Sequence, residues 1–380
     1  MERNRDGVYK TGVVAVGDVL DINCWSNIPY YFFKEGEKQG VFDEPWQLDL
    51  SSFDIDRNVW NAFRLLMGRG IGGYQYSKSF LTKAESQIPQ NFFRSKVISF
   101  NQTFPSAEKI IDFGGKIYYY IDISLHDLFN EPSYGVAVPR AMKTKALELE
   151  KRNYDLAEKV VTMGHWAQKS LIEHYKLPQD KIMTILPGAN LPEVDISNDK
   201  FNPGAGETRD LVLGFVGKDW ERKGLLVLLQ VARELRARGV RINIRVLGNC
   251  PNELQKESLI DFTGFVDKQS DSDKFCHNLR SCDIGCLFSE SEALGISTLE
   301  FLHLGVPVAG FFHQGLEDTL MDGASLRFSL SDPIGKIANA FERYVQSDLL
   351  QRQMKEEAKK YSNHVTWRRC VNEWRSIIKR

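Results

Sequence analysis

The sequence predicts an α/β protein built from two doubly wound parallel-sheet domains, and three observations predict it. Short apolar runs of strand length alternate with amphipathic helical runs along the chain, the pattern of a parallel sheet covered by helices on both faces. At 380 residues the chain is long for one core and suggests two. Over 197–210 the text changes to "SNDKFNPGAGETRD", polar, rich in glycine and proline and without periodicity, which is the composition of a linker. The expected division is a first Rossmann-like domain over 1–196, the linker over 197–210, and a second such domain over 211–361, with 362–380 left as a closing helix.

The elements follow in order. "TGVVAVGDVL" (11–20) reads as a buried strand, and "SNIPYYFFKEGEKQG" (26–40) as a loop entering a helix that stops at Gly40. "KVISF" (96–100) and "KIYYYIDIS" (116–124) are strands, the charged run from Arg140 to Asp155 is a helix, and "KVVTM" (159–163) is a strand. "HWAQKSLIEHYKLP" (165–178) is a helix closed by Pro178, before the strand and turn of "KIMTILPGAN". In the second domain "LVLGFVGK" (211–218), "RINIRVLG" (241–248), "LIDFTGFV", "CDIGCLFS" and "GVPVAGF" are strands, and "GLLVLLQVARELRARG" (224–239) is an amphipathic helix. The closing "HVTWRRCVNEWRSIIKR" repeats Val365, Trp367, Val371, Trp374 and Ile377 at helical spacing; it is expected to cross back and pack on the first domain.

Composition excludes several function classes. A formal net charge of −1 argues against a nucleic-acid binder. The six cysteines form no C-x-x-C pair, so neither a zinc ribbon nor a thioredoxin motif is offered, and reduced thiols are expected. No His/Asp/Glu set has metal-ligand spacing. No apolar run has the length of a membrane span, and "MERNRDGVYK" leads into no secretory h-region, so a cytoplasmic protein is expected. The segment 56–70 carries Arg57, Arg64 and Arg69 opposite Trp60, Phe63 and Leu66 or Met67. It is either a helix packed on its own core or a face lying on the inner surface of an anionic membrane.

Ligands of doubly wound sheets sit outside the carboxyl ends of the strands, so the loops entering helices carry the chemistry. In "SESEALGISTLEFLHLGVPVAG" the strand "CDIGCLFS" hands over to a helix through a loop with small residues at Ala293, Gly295 and Ser297. These let backbone N–H groups of Ala293, Leu294, Gly295, Ile296 and Ser297 approach a phosphate. Glu292 and Glu300 bracket that segment; were it helical throughout, they would stand roughly 12 Å apart. A carboxylate accepts two hydroxyl hydrogen bonds, so one at each side of a diphosphate suits a ligand with a polyol at each end, a nucleotide sugar. Glu300 would take the ribose and Glu292 the sugar. "GFVGKDWERKG" adds Gly217 at a strand end with Lys218 and Lys223 as cationic donors to a diphosphate. The structural alternatives are a capping box over 297–300 for Glu300, and an ordinary charged turn over 218–223.

"GKDWERKG", followed by "SESEALGISTLEFLHLGVPV", resembles the paired signatures of the retaining glycosyltransferases of family 4, and the likeness extends over nearly the whole chain. It implies the GT-B fold, two Rossmann-like domains facing across a cleft, with the donor on the second and the acceptor on the first. By this resemblance Lys218 stands where the family usually has arginine, Lys223 at its phosphate lysine, and Glu292 and Glu300 at its glutamate pair. Lys218, Lys223 and Glu292 are then the candidate catalytic residues. Gly217, Ala293, Leu294, Gly295, Ile296, Ser297 and Glu300 are the donor-binding set, and Ser26, Asn27, Asp122 and His126 lie on the acceptor side. Asn27 replaces a usual glycine and Ser297 a usual proline. The activity implied is transfer of a hexose-type sugar from a nucleoside-diphosphate sugar to a hydroxyl acceptor, with retention and without cofactor or divalent metal. A nucleotide-sugar epimerase and a non-catalytic nucleotide-sugar-binding subunit are the alternatives. The sugar, base, acceptor and oligomeric state are not encoded in these motifs.

Overall fold

A computed structural model describes residues 10–51, 53–193 and 209–379; of the expected linker, 197–208 lies outside the described residues. The chain divides into two compact units, Met1–Pro187 with Cys370–Arg380, and Gly188–Arg369. Each holds one six-stranded sheet in which every neighbouring pair is parallel.

The first sheet comprises β1 (Thr11–Val14), β2 (Glu44–Pro45), β3 (Lys96–Ser99), β4 (Lys116–Ile121), β5 (Lys159–Thr162) and β6 (Ile182–Thr184), in the order β2-β1-β3-β4-β5-β6. β1 ends at Val14, although the apolar text runs on to 20. Gly17 adopts φ 126° and the Asp18 carboxylate accepts the Leu20 N–H at 2.7 Å, so a turn takes over where the pattern promised strand. The 165–178 helix likewise stops early, at Glu173: Lys176 takes φ 55° and the Leu177 N–H reaches the Leu171 carbonyl at 3.2 Å, a left-handed C-terminal cap placed ahead of Pro178.

The second sheet comprises β7 (Leu211–Gly217), β8 (Ile242–Gly248), β9 (Ile260–Gly264), β10 (Ile284–Leu287), β11 (Val308–Phe311) and β12 (Ser325–Phe328), in the order β12-β11-β10-β7-β8-β9. The near-continuous apolar text of β7 and β10 follows from burial on both faces, with Leu213, Phe215, Ile284 and Cys286 in one core with Leu228 and Leu229 of the covering Leu225–Ala237 helix. β2 and β12 have no counterpart in the sequence reading; at two and four residues each is too short to show alternation.

The closing helix, Trp367–Ile378, belongs to both units, with the division at Arg369/Cys370. Its first turn sits in the second unit, where the Trp367 indole donates to Asn190 Oδ1 at 3.1 Å and the Ala189 N–H reaches the Val365 carbonyl at 2.9 Å. From Cys370 on it packs in the first, where Trp374 is fully buried against Phe32, Tyr118 and Tyr120. Val365 just ahead of the helix and Trp367, Val371, Trp374 and Ile377 within it, the five positions of the sequence pattern, are all buried.

The helix Phe53–Leu66 divides the apolar face its sequence suggests, with Trp60 packed against the core of the first unit and Phe63 and Leu66 turned outward. Arg64 is buried, donating to the carbonyls of Gly70 (2.9 Å) and Arg69 (2.7 Å) beneath the Trp60 ring, while Ile55, Val59, Phe63 and Leu66 face outward. The guanidinium satisfies the carbonyls of the chain folding back after the helix, a demand that apolar side chains cannot meet.

Candidate functional site

Strand order in the second sheet reverses between β7 and β10, so the loops leaving their carboxyl ends, 218–223 and 288–295, lie at the topological switch point where such sheets bind ligands. Glycine shapes both. Gly224 has φ 77°, and a Cβ there would stand 2.1 Å from the Phe288 carbonyl oxygen; Gly295 has φ 82°, with 2.5 Å left to Leu316. At Gly217 a Cβ would fall 2.6 Å from Cδ of Lys223, so the absent side chain makes room for that lysine's stem.

Arg222 ties the two loops together. Its guanidinium donates to the Ser291 carbonyl at 2.6 Å, Glu292 Oε2 at 3.3 Å and Asp219 Oδ2 at 2.9 Å, while its own carbonyl accepts from the Ser289 hydroxyl and the Glu290 N–H, both at 3.1 Å. Lys223 Nζ lies 3.7 Å from the same Glu292 oxygen, and both side chains are only 13% exposed. The Glu292 backbone is clamped from the loop after β11. Gln314, held at φ 50°, accepts the Glu292 N–H at 3.0 Å and the Ser291 hydroxyl at 2.9 Å, and the Gly315 N–H donates to the Glu292 carbonyl at 3.0 Å. The result is a carboxylate fixed in position with two cations beside it, a cluster ready to take up an anion and a hydroxyl together.

The glutamate pair does not lie on one continuous helix, which revises the 12 Å estimate. Gly295 is the N-cap and the helix runs Ile296–His303, so Glu292 stays in the loop with Ala293 and Leu294, both buried. Nor is there a capping box over 297–300: no side chain caps this helix, and Glu300, buried with Ser297, pairs with the Lys268 ammonium from the segment after β9. Lys218 is exposed and its ammonium stands 5.4 Å over the Phe265 ring, so of the two lysines only Lys223 meets Glu292. Arg222, Lys268 and Gln314 are the residues that sequence reasoning did not single out. "DWERKG" did display Arg222 between the lysines, whereas Lys268 and Gln314 reach the site only through the fold.

In the first unit the order reverses between β1 and β3. The loop after β1 carries Trp25, Ser26 and Asn27 in the left-handed region, with φ of 37°, 58° and 68°. Asn27 is the N-cap of the Ile28–Lys38 helix and its side-chain amide donates to the Ile22 carbonyl. Asparagine tolerates this conformation better than most residues other than glycine, so Asn27 keeps the turn. Trp25 stacks edge-on against Phe100, which follows β3, with centroids 5.6 Å apart. Asp122 follows β4 directly, and His126 lies in the first turn of the Leu125–Asn130 helix, its ring stacked on His174 at 3.6 Å. His303 is buried between the Pro192 and Ser362 carbonyls, as a packing residue would be, whereas His165 is exposed.

Beneath His126 lies Glu150, fully buried, accepting from Leu125 N–H at 2.9 Å, the Tyr154 hydroxyl at 2.8 Å and the Tyr175 hydroxyl. Burial outweighs these bonds and pushes its carboxyl from an ordinary 4.5 up to about 7. Between those values the folded protein keeps a proton that the unfolded chain has lost, so stability falls as pH rises through that window, by about 3 kcal/mol in total. Glu150→Gln should flatten that slope in Tm measured against pH; superimposable curves for the two proteins would contradict the assignment.

The comparisons with known proteins follow this geometry. Residues 196–361 match the family described as Glycosyl transferases group 1. Over 248 residues the chain is 23% identical to D-inositol 3-phosphate glycosyltransferase of Corynebacterium aurimucosum, covering 60% of this chain and 58% of that protein, so the match spans little more than half of that relative's length. The fold is shared with sucrose-phosphate synthase from Thermosynechococcus elongatus (TM-score 0.70, 14% identity, 97% of this chain and 98% of that one). It is shared also with a glycosyltransferase from Rickettsia africae ESF-5 (TM-score 0.68, 15% identity, 98% of each chain). The matched residues contain both loops of the β7/β10 switch point, so the likeness to the group 1 glycosyl transferases falls on the second unit, and the chain shares the GT-B fold of these solved structures.

Proposed function

We propose that this protein is a retaining glycosyltransferase that moves a hexose-type sugar from a nucleoside-diphosphate sugar to a hydroxyl of a glycan, lipid-linked or small-molecule acceptor. The observation that carries the reading is the Lys223–Glu292–Arg222 cluster at the switch point, with the Ile296–His303 helix starting beside it. Lys223 and that helix start would stabilise charge on the departing diphosphate, with Lys218 an outer phosphate contact, and no metal is assigned to the donor. Glu292 would hold the sugar hydroxyls. The bond from the anomeric carbon to the phosphate oxygen breaks and the bond to the acceptor oxygen forms on the same face, the acceptor's proton passing to the leaving phosphate. Asp122 and His126, with Ser26 and Asn27, are assigned to the acceptor. Serine at 297 supports donor binding, because it offers a backbone N–H in the helix's first turn that proline would lack.

Release of nucleoside diphosphate from a panel of nucleotide sugars, with and without hydroxyl acceptors, tests the reading. Release that depends on acceptor is expected; donor conversion without acceptor would indicate an epimerase, and binding without turnover a non-catalytic subunit.

Glu300 is assigned to the donor ribose, with Lys268 engaging Oε1 and the other oxygen left to the ligand. Glu300→Gln preserves shape but halves the acceptor capacity, so the donor KM should rise about tenfold, ~1.4 kcal/mol. Unaltered nucleoside-diphosphate affinity in this variant would remove Glu300 from the ribose.

The outward stripe of Ile55, Val59, Phe63 and Leu66, flanked by exposed Arg57 and Arg69, is assigned to a membrane surface, which would bring a lipid-linked acceptor to the enzyme. Among the described residues no helix is long and apolar enough to cross a membrane, so this contact would be peripheral. Phe63→Glu with Leu66→Glu should abolish co-sedimentation with anionic phospholipid vesicles at unchanged Tm; equal sedimentation of both proteins would exclude the stripe.

A further inference from the structure

The first unit brings a neighbouring pair and a side chain 47 positions further on together: His126 and Asp127 at the start of one helix, and His174 just past the end of another. One ligand-type atom from each lies within 4.8 Å of the others. His126 Nδ1 and Asp127 Oδ1 are 3.3 Å apart, the separation of neighbouring ligands on a tetrahedral ion with bonds of about 2.0–2.1 Å. We propose that His126, Asp127 and His174 form a binding site for a first-row divalent cation of the zinc type, held by two imidazoles and one carboxylate with the fourth position left to water.

The groups behind these ligands support the assignment, because ligand side chains bind well when a second layer holds them. The second oxygen of Asp127 accepts from the Ser124 hydroxyl at 3.1 Å, and that hydroxyl is bonded to Ser170 at 2.8 Å. The Asn130 Nδ2 stands 3.2 Å from His126 Nε2; a metal-bound Nδ1 leaves a proton on Nε2, so the amide would turn over to offer its oxygen to that proton. The backbones on either side are joined by one carboxylate. Glu150 accepts the N–H of Leu125, the residue before His126, and the hydroxyl of Tyr175, the residue after His174, while the His126 N–H donates to that same hydroxyl at 3.1 Å. The left-handed turn at Lys176 then sets where His174 emerges. Two stacked imidazoles beside a nearly buried carboxylate offer nitrogen lone pairs and one negative charge, which suits a borderline-soft cation better than Mg²⁺ or Ca²⁺. The donor loops of the second unit supply no ligand, whereas His126 is the residue assigned above to the acceptor, so a cation here would occupy that side chain.

Titration of EDTA-treated, desalted full-length protein with Zn²⁺ by calorimetry, and with Co²⁺ by visible absorption, tests this. One equivalent should bind, with a Co²⁺ d–d band of low-coordinate N/O ligation and a raised Tm. His174→Ala, at an exposed position, and Asp127→Asn should each weaken binding at least tenfold, while His277→Ala, on the surface of the second unit, should bind like the parent. Absence of a saturable equivalent in the parent, or undiminished binding in His174→Ala with native circular dichroism, would overturn the site.

Discussion

Lys223→Ala should lower kcat/KM for the nucleotide-sugar donor about 10²- to 10³-fold, ~2.7–4 kcal/mol of transition-state stabilisation, while leaving Tm near the parent value. The kinetic loss is large because the ammonium is nearly buried, at 13% exposure, where a charge-assisted contact to a diphosphate is weakly screened. The stability loss is small because Glu292 keeps Arg222 at 3.3 Å when the lysine is gone, so no carboxylate is left stranded. Arg222→Ala would be a poorer probe, since that side chain also holds the Ser291 carbonyl and Asp219, and its removal would loosen both loops at once. Parent-like kinetics in Lys223→Ala would take the lysine out of the donor site.

Trp374→Ala should cost the first unit about 3–5 kcal/mol, the range for removing a fully buried aromatic side chain. The indole lies 5.2 Å from Tyr120, 5.7 Å from Phe32 and 6.4 Å from Tyr118, ring centre to ring centre, in the segment Cys370–Arg380 that the second unit returns to the first. The same segment is anchored by Cys370 against the Tyr120 hydroxyl at 3.4 Å and by Arg375 to the Gln39 carbonyl at 3.1 Å. The damage should therefore fall on the first unit: calorimetry should show an early transition absent from the parent, with nucleoside-diphosphate binding by the second unit retained. A single unshifted transition would mean that the returning segment is not part of the first core.

The strands were legible where burial on both faces leaves a continuous apolar run, as in β4, β7 and β10, or where apolar and polar residues alternate, as in β8, and the two site loops were legible because glycine and small residues stand next to such runs. What was not legible depends on contacts between distant residues. Lys268 reaches Glu300 across 32 positions, and the capping-box pattern over 297–300 suggested a local partner that the structure does not use. Gln314 can clamp Glu292 only because its backbone is held in the left-handed region by the loop after β11, a conformation its residue type does not announce. The Phe53–Leu66 helix divides its apolar face for a related reason: a 3.6-residue period shows that a helix has an apolar side, but not how much of it faces in, and the carbonyls of Arg69 and Gly70 drew Arg64 inward. His126, Asp127 and His174 escaped a search for ligand spacing because two helix ends, not one motif, bring them together.

Calorimetric titration of the intact protein and of Lys223→Ala with uridine, guanosine and adenosine diphosphates tests the central claim most directly, that the loops after β7 and β10 hold the diphosphate of a nucleotide sugar. The account predicts saturable binding of at least one of the three to the parent at a single site, weakened tenfold or more in the variant. Binding of none of them, or equal binding by parent and variant, would contradict it.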